Sequence, residues 1–533
     1  MARWSKYNTV MALTSQLLLH LVILLILSAV SPSQQTSPRE ANNGPQAGPL
    51  VLLVSFDGFR WDYLDKTATP NFDNLIEDGV KAKYIYDAFT SKTFPNHYTI
   101  VTGLYEESHG IVGNTMYDPV WNETYFMGNE SKWWEGGEPI WVTNEKEGGT
   151  SGVIEWPGMD TKIHNFYPTY RLPKYNQTFP FEARVDIITK LFSNGSINLG
   201  LLYFHEPDHS GHMFGPDSPK MDAVIRMCDD TVGYLMQSLR KAGLGDRVNV
   251  IITSDHGMAE VSAERVLQLD DFVDPSLYHY TDNNPVFGIW PHEENDTELI
   301  YSKIYNASSH VKVYLKDAIP AQYHYHDNQR ISPILVVADV GWSINRGDHS
   351  NDSRKMYKGN HGYNNSVMAM HPIFVANGPS FEKGLLVEPF ENVNIYTLIC
   401  DILGLSPAPN NGSLEKVQDM LQTTEPTSSH RLTKLSAHVT YNELTTGGSP
   451  EEMTTSTIIG MAVVGGVAFL AVCLLIAMCA KQRSYRQPPT QYAPIADTSL
   501  DNVDEALSLE CNSNTITEKS RGNKISGLKQ LET

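Results

Sequence analysis

Val248-Asn249-Val250-Ile251-Ile252-Thr253-Ser254-Asp255-His256-Gly257 is a β-branched apolar run that stops on a carboxylate and an imidazole. A run this apolar reads as a strand buried on both faces, the usual condition in a parallel sheet covered by helices. Leu50–Phe56, Asn198–Phe204 and Pro372–Ala376 repeat the pattern, and helical periodicity lies between, as in Phe181–Phe192 and Asp222–Ala242. The alternation predicts an α/β sandwich around a mostly parallel central sheet, with helices on both faces. Ligands of such sheets gather at the carboxyl ends of the strands. Asp57 follows the first strand, Asp208 the second, and Asp255-His256 the run quoted above.

Pro207-Asp208-His209-Ser210-Gly211-His212 contains a second carboxylate–imidazole pair, Asp208 and His212. Carboxylate and imidazole together are the ligand set of hydrolytic zinc sites. Two such pairs in one domain suggest two metals, and two metals suggest chemistry at phosphorus. Taken alone, Asp57 reads more readily as a helix cap than as a ligand. In Thr90-Ser91-Lys92-Thr93-Phe94-Pro95-Asn96-His97-Tyr98, Pro95 marks a helix start and Gly103 its end. Thr93 therefore falls at a helix N-terminus, where free N–H groups favour an anion, although a threonine there also simply caps a helix. A hydroxyl is a poor nucleophile near neutral pH unless a metal ion lowers its pKa. His361, one of 18 histidines and set among glycines in Gly359-Asn360-His361-Gly362, acquires a role only as part of this ensemble.

These segments, in this order, resemble the ectonucleotide pyrophosphatase/phosphodiesterase family of the alkaline-phosphatase superfamily. They are Ser55-Phe56-Asp57-Gly58-Phe59-Arg60, Lys92–Tyr98, Glu206–His212, Ser254–Met258 and His361-Gly362-Tyr363. The resemblance implies an alkaline-phosphatase-like fold and two Zn2+ ions. It implies Asp57, Thr93, Asp255 and His256 as ligands of one ion, and Asp208, His212 and His361 as ligands of the other. Thr93 resembles the nucleophile that takes the nucleotidyl group. Asn114 resembles the side chain that contacts a non-bridging phosphate oxygen; a neutral group there suits a diester or anhydride better than a monoester dianion. Phe94 and Tyr175 match aromatics that stack on a base, and Trp156 and Asp160 lie in a segment that nucleotide-cleaving relatives also use. Pro216–Pro219 and Trp156-Pro157-Gly158 resemble members that carry one membrane span after the domain. Two departures bear on the choice of nucleotide: Thr115 stands where relatives carry lysine, and His205 where they carry an acid.

The implied substrate is a small nucleotide, with NAD and dinucleoside polyphosphates as candidates. A lysophospholipase C or choline-ester phosphodiesterase, and a glycosylated receptor-like surface protein with a weak site, stay open as alternatives.

The rest of the 533 residues reads as delivery and anchoring. Residues 1–30 have the basic start and short apolar core of a signal peptide. Residues 31–47 form a polar flexible lead-in. Residues 48–424, about 375 positions, are ample for a large core and are expected to be an extracellular phosphodiesterase domain. Residues 425–457 form a Ser/Thr-rich stalk. Ile458–Ala480 is 23 residues without a charge, long enough for a transmembrane helix. Lys481, Arg483 and Arg486 follow it and predict a cytoplasmic tail over 481–533, disordered by composition. The expected location is the plasma membrane, single-pass type I. Nine Asn-x-Ser/Thr sequons, at Asn122, Asn129, Asn176, Asn194, Asn295, Asn306, Asn351, Asn364 and Asn411, all fall on the outward side. Only Cys228 and Cys400 lie in this region, so no disulfide framework builds it, and the two either pair or remain buried thiols. A net charge of −21 argues against a nucleic-acid polymer as partner. The oligomeric state has no sequence signature.

Overall fold

The computed structural model describes residues 48–347 and 357–422. The signal, lead-in, stalk, span and tail expectations, and the Asn351 sequon, lie outside the described residues. Among those described, no helix is long and apolar enough to cross a membrane.

The central sheet has eight strands: β1 (Leu50–Phe56), β2 (Val80–Ala82), β3 (Ser151–Ile154), β4 (Tyr170–Arg171), β5 (Leu199–Phe204), β6 (Val248–Thr253), β7 (Phe374–Asn377) and β8 (Leu385–Val387), in the order β8-β2-β7-β6-β1-β5-β3-β4. From β6 through β1, β5 and β3 to β4 the pairing is parallel throughout. The Pro372–Ala376 candidate begins later, as β7, and runs antiparallel to both β6 and β2. The sheet is thus mostly parallel, as the apolar runs predict.

Side chains alternate across β1 and build two cores. Leu50, Leu52, Val54 and Phe56 join one cluster with Val185, Ile188, Ile225 and Val232. Val51 and Leu53 join the other with Tyr98, Ile100, Ile395 and Leu398. Helices α1 (Pro70–Glu77), α3 (Phe181–Ser193) and α5 (Met221–Lys241) therefore cover one face, and α2 (Thr93–Thr102) and α6 (Asn394–Leu403) the other. Burying a Leu, Ile or Val side chain contributes about 1.5–3 kcal/mol, so a strand apolar on both faces is held from both sides. Cys228 belongs to the first cluster and Cys400 to the second, both as free buried thiols. The sheet stands between them, which decides against a disulfide.

A second sheet of four antiparallel strands, Tyr278–Asn283, Val286–Pro291, Ile334–Ala338 and Val311–Leu315, forms an insertion between β6 and β7 with its own apolar cluster. After it the chain returns as Gly359–Asn360, paired antiparallel with Ala259–Glu260 just beyond β6. That return positions the last candidate site residue.

Candidate active site

Asp57, Asp208 and Asp255 follow the carboxyl ends of the three neighbouring strands β1, β5 and β6. The register pairs Ser55 with Thr253, so Asp57 and Asp255 stand level. Gly58 lets the third carboxylate approach. Its φ is +66°, and a Cβ there would lie 2.8 Å from Asp208 Cβ, which leaves glycine as the residue that fits. Asp208 N then donates to Asp57 O at 2.9 Å. Asp208 opens α4 (Asp208–Phe214), and His212, one turn on, shares its face, Nε2 3.4 Å from Asp208 Oδ1. His361 arrives from the insertion's return strand with Nε2 3.6 Å from the same oxygen. Its ring stacks on His256 at 3.5 Å between centroids. His256 Nε2 lies 3.0 Å from Asp255 Oδ2 and 3.4 Å from Asp57 Oδ1. Thr93 opens α2, with Gly103 as its left-handed C-cap at φ 67°. Its Oγ1 is 3.4 Å from His256 Nε2.

The second ring nitrogen of each of these histidines is tied to a backbone carbonyl. His212 Nδ1 meets Gly359 O at 2.8 Å, His256 Nδ1 meets Gly257 O at 2.9 Å, and His361 Nδ1 meets Ser91 O at 2.8 Å. A carbonyl only accepts, so Nδ1 carries the proton and the neutral ring turns a lone pair at Nε2 into the cluster, the arrangement of a metal-ligating histidine. Facing those lone pairs are Asp57 Oδ1, Asp208 Oδ1 and Asp255 Oδ2, buried and without a hydrogen-bond donor. Acceptors crowded against acceptors repel, and a cation relieves all of them together. The donor set thus fits a divalent metal.

The electrostatics say the same. Burial, then Asp255 and Asp208, raise Asp57 well above the usual carboxylate range. Burial works against a charge on His256, yet Asp255 outweighs it and raises His256 above the ordinary imidazole range. Burial also pushes Asp255 up, but His256 and His97 prevail and hold it low. Without a cation, the available relief is a proton on Asp57 or a second proton on His256. His361 has no such relief: burial and the neighbouring His256 hold it far down, so it stays neutral.

The ligand atoms of Asp208, His212 and His361 lie within 4.8 Å of one another, and so do those of Asp57, Asp208 and His256. The sequence reading assigns Asp208 to one ion; the structure places it between both donor groups. His97 joins a third group with Asp57 and Asp255. Its two nitrogens are already engaged, with Thr93 O and Ser55 Oγ at 2.8 Å each, so it orients its neighbours. Tyr203, near the end of β5, donates its hydroxyl to Asp57 Oδ2 at 2.6 Å. Sequence reasoning missed both residues. Their signals were slight: a histidine one turn after Thr93, and a hydroxyl in an otherwise apolar strand. Tyr203→Phe should lower metal affinity about 10- to 100-fold, as loss of an outer-shell partner does; chelator competition showing unchanged affinity would count against this role.

Beside the cluster opens a cavity of about 790 Å³, lined among others by Thr93, Phe94, Asn114, Asp160 and Tyr175. Asn114 Oδ1 accepts from Phe94 N at 3.0 Å, which leaves its amide end as a donor beside Thr93. Phe94 is backed by Tyr125 and Trp134. Tyr175 is 43% exposed at the rim. Trp156 is buried under the cavity, its indole N–H donated to His97 O at 3.3 Å and its ring edge-on to His97. Asp160 Oδ2 accepts from Asn129 Nδ2 at 3.3 Å. All of the sequence-predicted site residues therefore border this one cluster and cavity.

An α/β fold that gathers carboxylates, imidazoles and a helix-terminal hydroxyl at adjacent strand ends defines a metal-dependent hydrolase of phosphate compounds. The type I phosphodiesterase / nucleotide pyrophosphatase family matches residues 51–364. The human ectonucleotide pyrophosphatase/phosphodiesterase family member 5 is 44% identical over 411 residues, 76% of this chain and 84% of that protein. Bis(5'-adenosyl)-triphosphatase enpp4 of Xenopus laevis is 46% identical over 377 residues, 70% of this chain and 82% of that one. The structure of the human member 5 superposes with a TM-score of 0.68 at 46% identity, covering 70% of this chain and all of that one. An inactive Thr→Ala variant of the murine member 5, in complex with AMP, matches at the same TM-score and 45% identity. The chain belongs to the nucleotide pyrophosphatase/phosphodiesterase family, and it is a hydrolase of phosphoric diester and anhydride bonds.

Proposed function

We propose that the chain is a cell-surface, two-zinc phosphodiesterase. It cleaves nucleotide phosphodiester or phosphoanhydride bonds through a threonine-nucleotidyl intermediate and releases a nucleoside 5′-monophosphate. Dinucleoside polyphosphates are the leading substrates, with NAD beside them; the name of the Xenopus relative supports the first. The observation that carries the reading is the set of unpartnered oxygens on Asp57, Asp208 and Asp255, facing histidine lone pairs beside the Thr93 hydroxyl. Asp57, Thr93, Asp255 and His256 would hold one ion, and Asp208, His212 and His361 the other. Nitrogen and oxygen donors in this mixture suit zinc. The outward topology rests on the apolar segments at residues 17–27 and 458–480 and on the sequons between them.

When bound, the two ions would polarise the phosphoryl oxygens and lower the pKa of the Thr93 hydroxyl. Thr93 Oγ1 attacks phosphorus in line, the bond to the leaving oxygen breaks, and the nucleotidyl group rests on Thr93. Asn114 donates to a non-bridging oxygen, and the N-terminus of α2 favours the anion that develops. Water then attacks from the side the leaving group vacated and frees both Thr93 and the monophosphate. Phe94 and Tyr175 flank the space for a base, with Asp160 at its edge.

A nucleotide panel with product analysis, including NAD, ATP, a dinucleoside triphosphate and lysophosphatidylcholine, tests the proposal. Release of phosphocholine faster than any nucleoside monophosphate would overturn it in favour of a phospholipase C. Phe94→Ala and Tyr175→Ala should each raise KM for a nucleotide roughly tenfold, the cost of one lost stacking contact. Turnover of bis(p-nitrophenyl) phosphate, which has no base, should barely change; an equal loss on both esters would refute the stacking role.

A further inference from the structure

Asn129 stands at the rim of the 790 Å³ cavity, exposed, and heads the sequon Asn129-Glu130-Ser131. Its Nδ2, the atom that N-glycosylation modifies, already reaches into the substrate site: it donates to Asp160 Oδ2 at 3.3 Å. Met127 and Tyr175, 57% and 43% exposed, line the same cavity. A second sequon, at Asn176, follows Tyr175 directly, but Asn176 is not among the residues that line the cavity. Of the sequons in the described residues, Asn129 is the one that lines the cavity.

We infer that Asn129 is N-glycosylated and that its first sugar forms the outer wall of the base end of the substrate cavity, restricting access to Asp160. The bond formed joins Nδ2 to the sugar's C1. The bond broken joins that carbon to the pyrophosphate of a lipid-linked oligosaccharide, the donor class this step requires, and one Nδ2 proton leaves with the lipid pyrophosphate. The modified nitrogen keeps one hydrogen. The hydrogen that stays on Nδ2 can keep the bond to Asp160, and the sugar takes the place of the other hydrogen, at the cavity rim beside that carboxylate. The glycan therefore acts at the base end, while the Thr93 hydroxyl and the carboxylate–imidazole cluster remain untouched. The inference rests on the outward topology and on the nucleotide reading of the cavity.

The test uses the full chain expressed in a secretory eukaryotic host. Glycopeptide mass spectrometry should find sugar on Asn129. Ser131→Ala removes the sequon but leaves Asn129, and it should raise kcat/KM for p-nitrophenyl-TMP about fivefold relative to bis(p-nitrophenyl) phosphate, through KM, an effect the size of one hydrogen bond. Ser131→Thr keeps the sequon and should retain the wild-type ratio. Sugar on other sequons with Asn129 bare overturns this inference alone. Sugar on Asn129 with a ratio unchanged or lowered in Ser131→Ala overturns the role of the wall. Sugar at no sequon overturns it together with the outward topology it rests on.

Discussion

Thr93→Ala should reduce hydrolysis of p-nitrophenyl-TMP by about six orders of magnitude, the loss typical when a covalent nucleophile is removed. The reason is local. Thr93 Oγ1 is the hydroxyl that meets the His256 face of the carboxylate cluster, and it does so from the N-terminus of α2. Among the described residues, no other hydroxyl holds that combination of places. Ser55 Oγ is bonded to His97, and Tyr203 Oη is bonded to Asp57. The variant should still bind AMP, because Asn114, Phe94 and Tyr175 keep their positions. Thr93→Ser should recover part of the rate. A Thr93→Ala protein within tenfold of wild type would remove Thr93 from the mechanism.

Metal removal should have the second large effect, on stability as well as on activity. Asp57, Asp208 and Asp255 lie together with unpartnered oxygens. With no cation, the cluster must take up protons or open. Burial and its carboxylate neighbours already raise Asp57, and Asp255 raises His256. Both shifts favour the protonated form, so protons should be released when zinc is added back. A site saturated a thousandfold above its Kd contributes about 4 kcal/mol of folding stability by mass action. Exhaustive chelation should therefore abolish turnover and lower Tm, and zinc should restore both. Two metals per chain are expected by elemental analysis of the purified protein. Full activity in a protein carrying less than one metal would refute the metal reading. The sign of the pH effect follows from the same shifts. Protonating Asp57 or His256 competes with zinc, so apparent zinc affinity should fall as pH falls.

Most of the fold was legible in the chain because strand burial is written locally. Leu50–Phe56 and Val248–Thr253 are apolar at every turn of the pleat, or nearly so, and each became a central strand. The β7 strand was less legible. Pro372–Ala376 showed apolar content but no direction, since direction depends on how the chain returns from the insertion. The two cysteines were ambiguous for a similar reason. Their spacing along the chain says nothing about which face of the sheet each helix covers.

Five ordered segments by themselves determined the strand ends, the start of α2 and the residue types available for chemistry. Strand alternation, helix capping and the fourfold spacing of Asp208 and His212 all act over a few residues, so sequence carries them directly. Tertiary structure alone decided which atoms meet. It placed Asp208 between two donor groups, brought His361 back through the insertion, tied each Nδ1 to a carbonyl, and set Tyr203 and His97 behind the ligands. It also set Asn129 against Asp160 at the rim. These contacts join segments far apart in the chain, and their geometry follows from sheet register and packing, which no local pattern encodes.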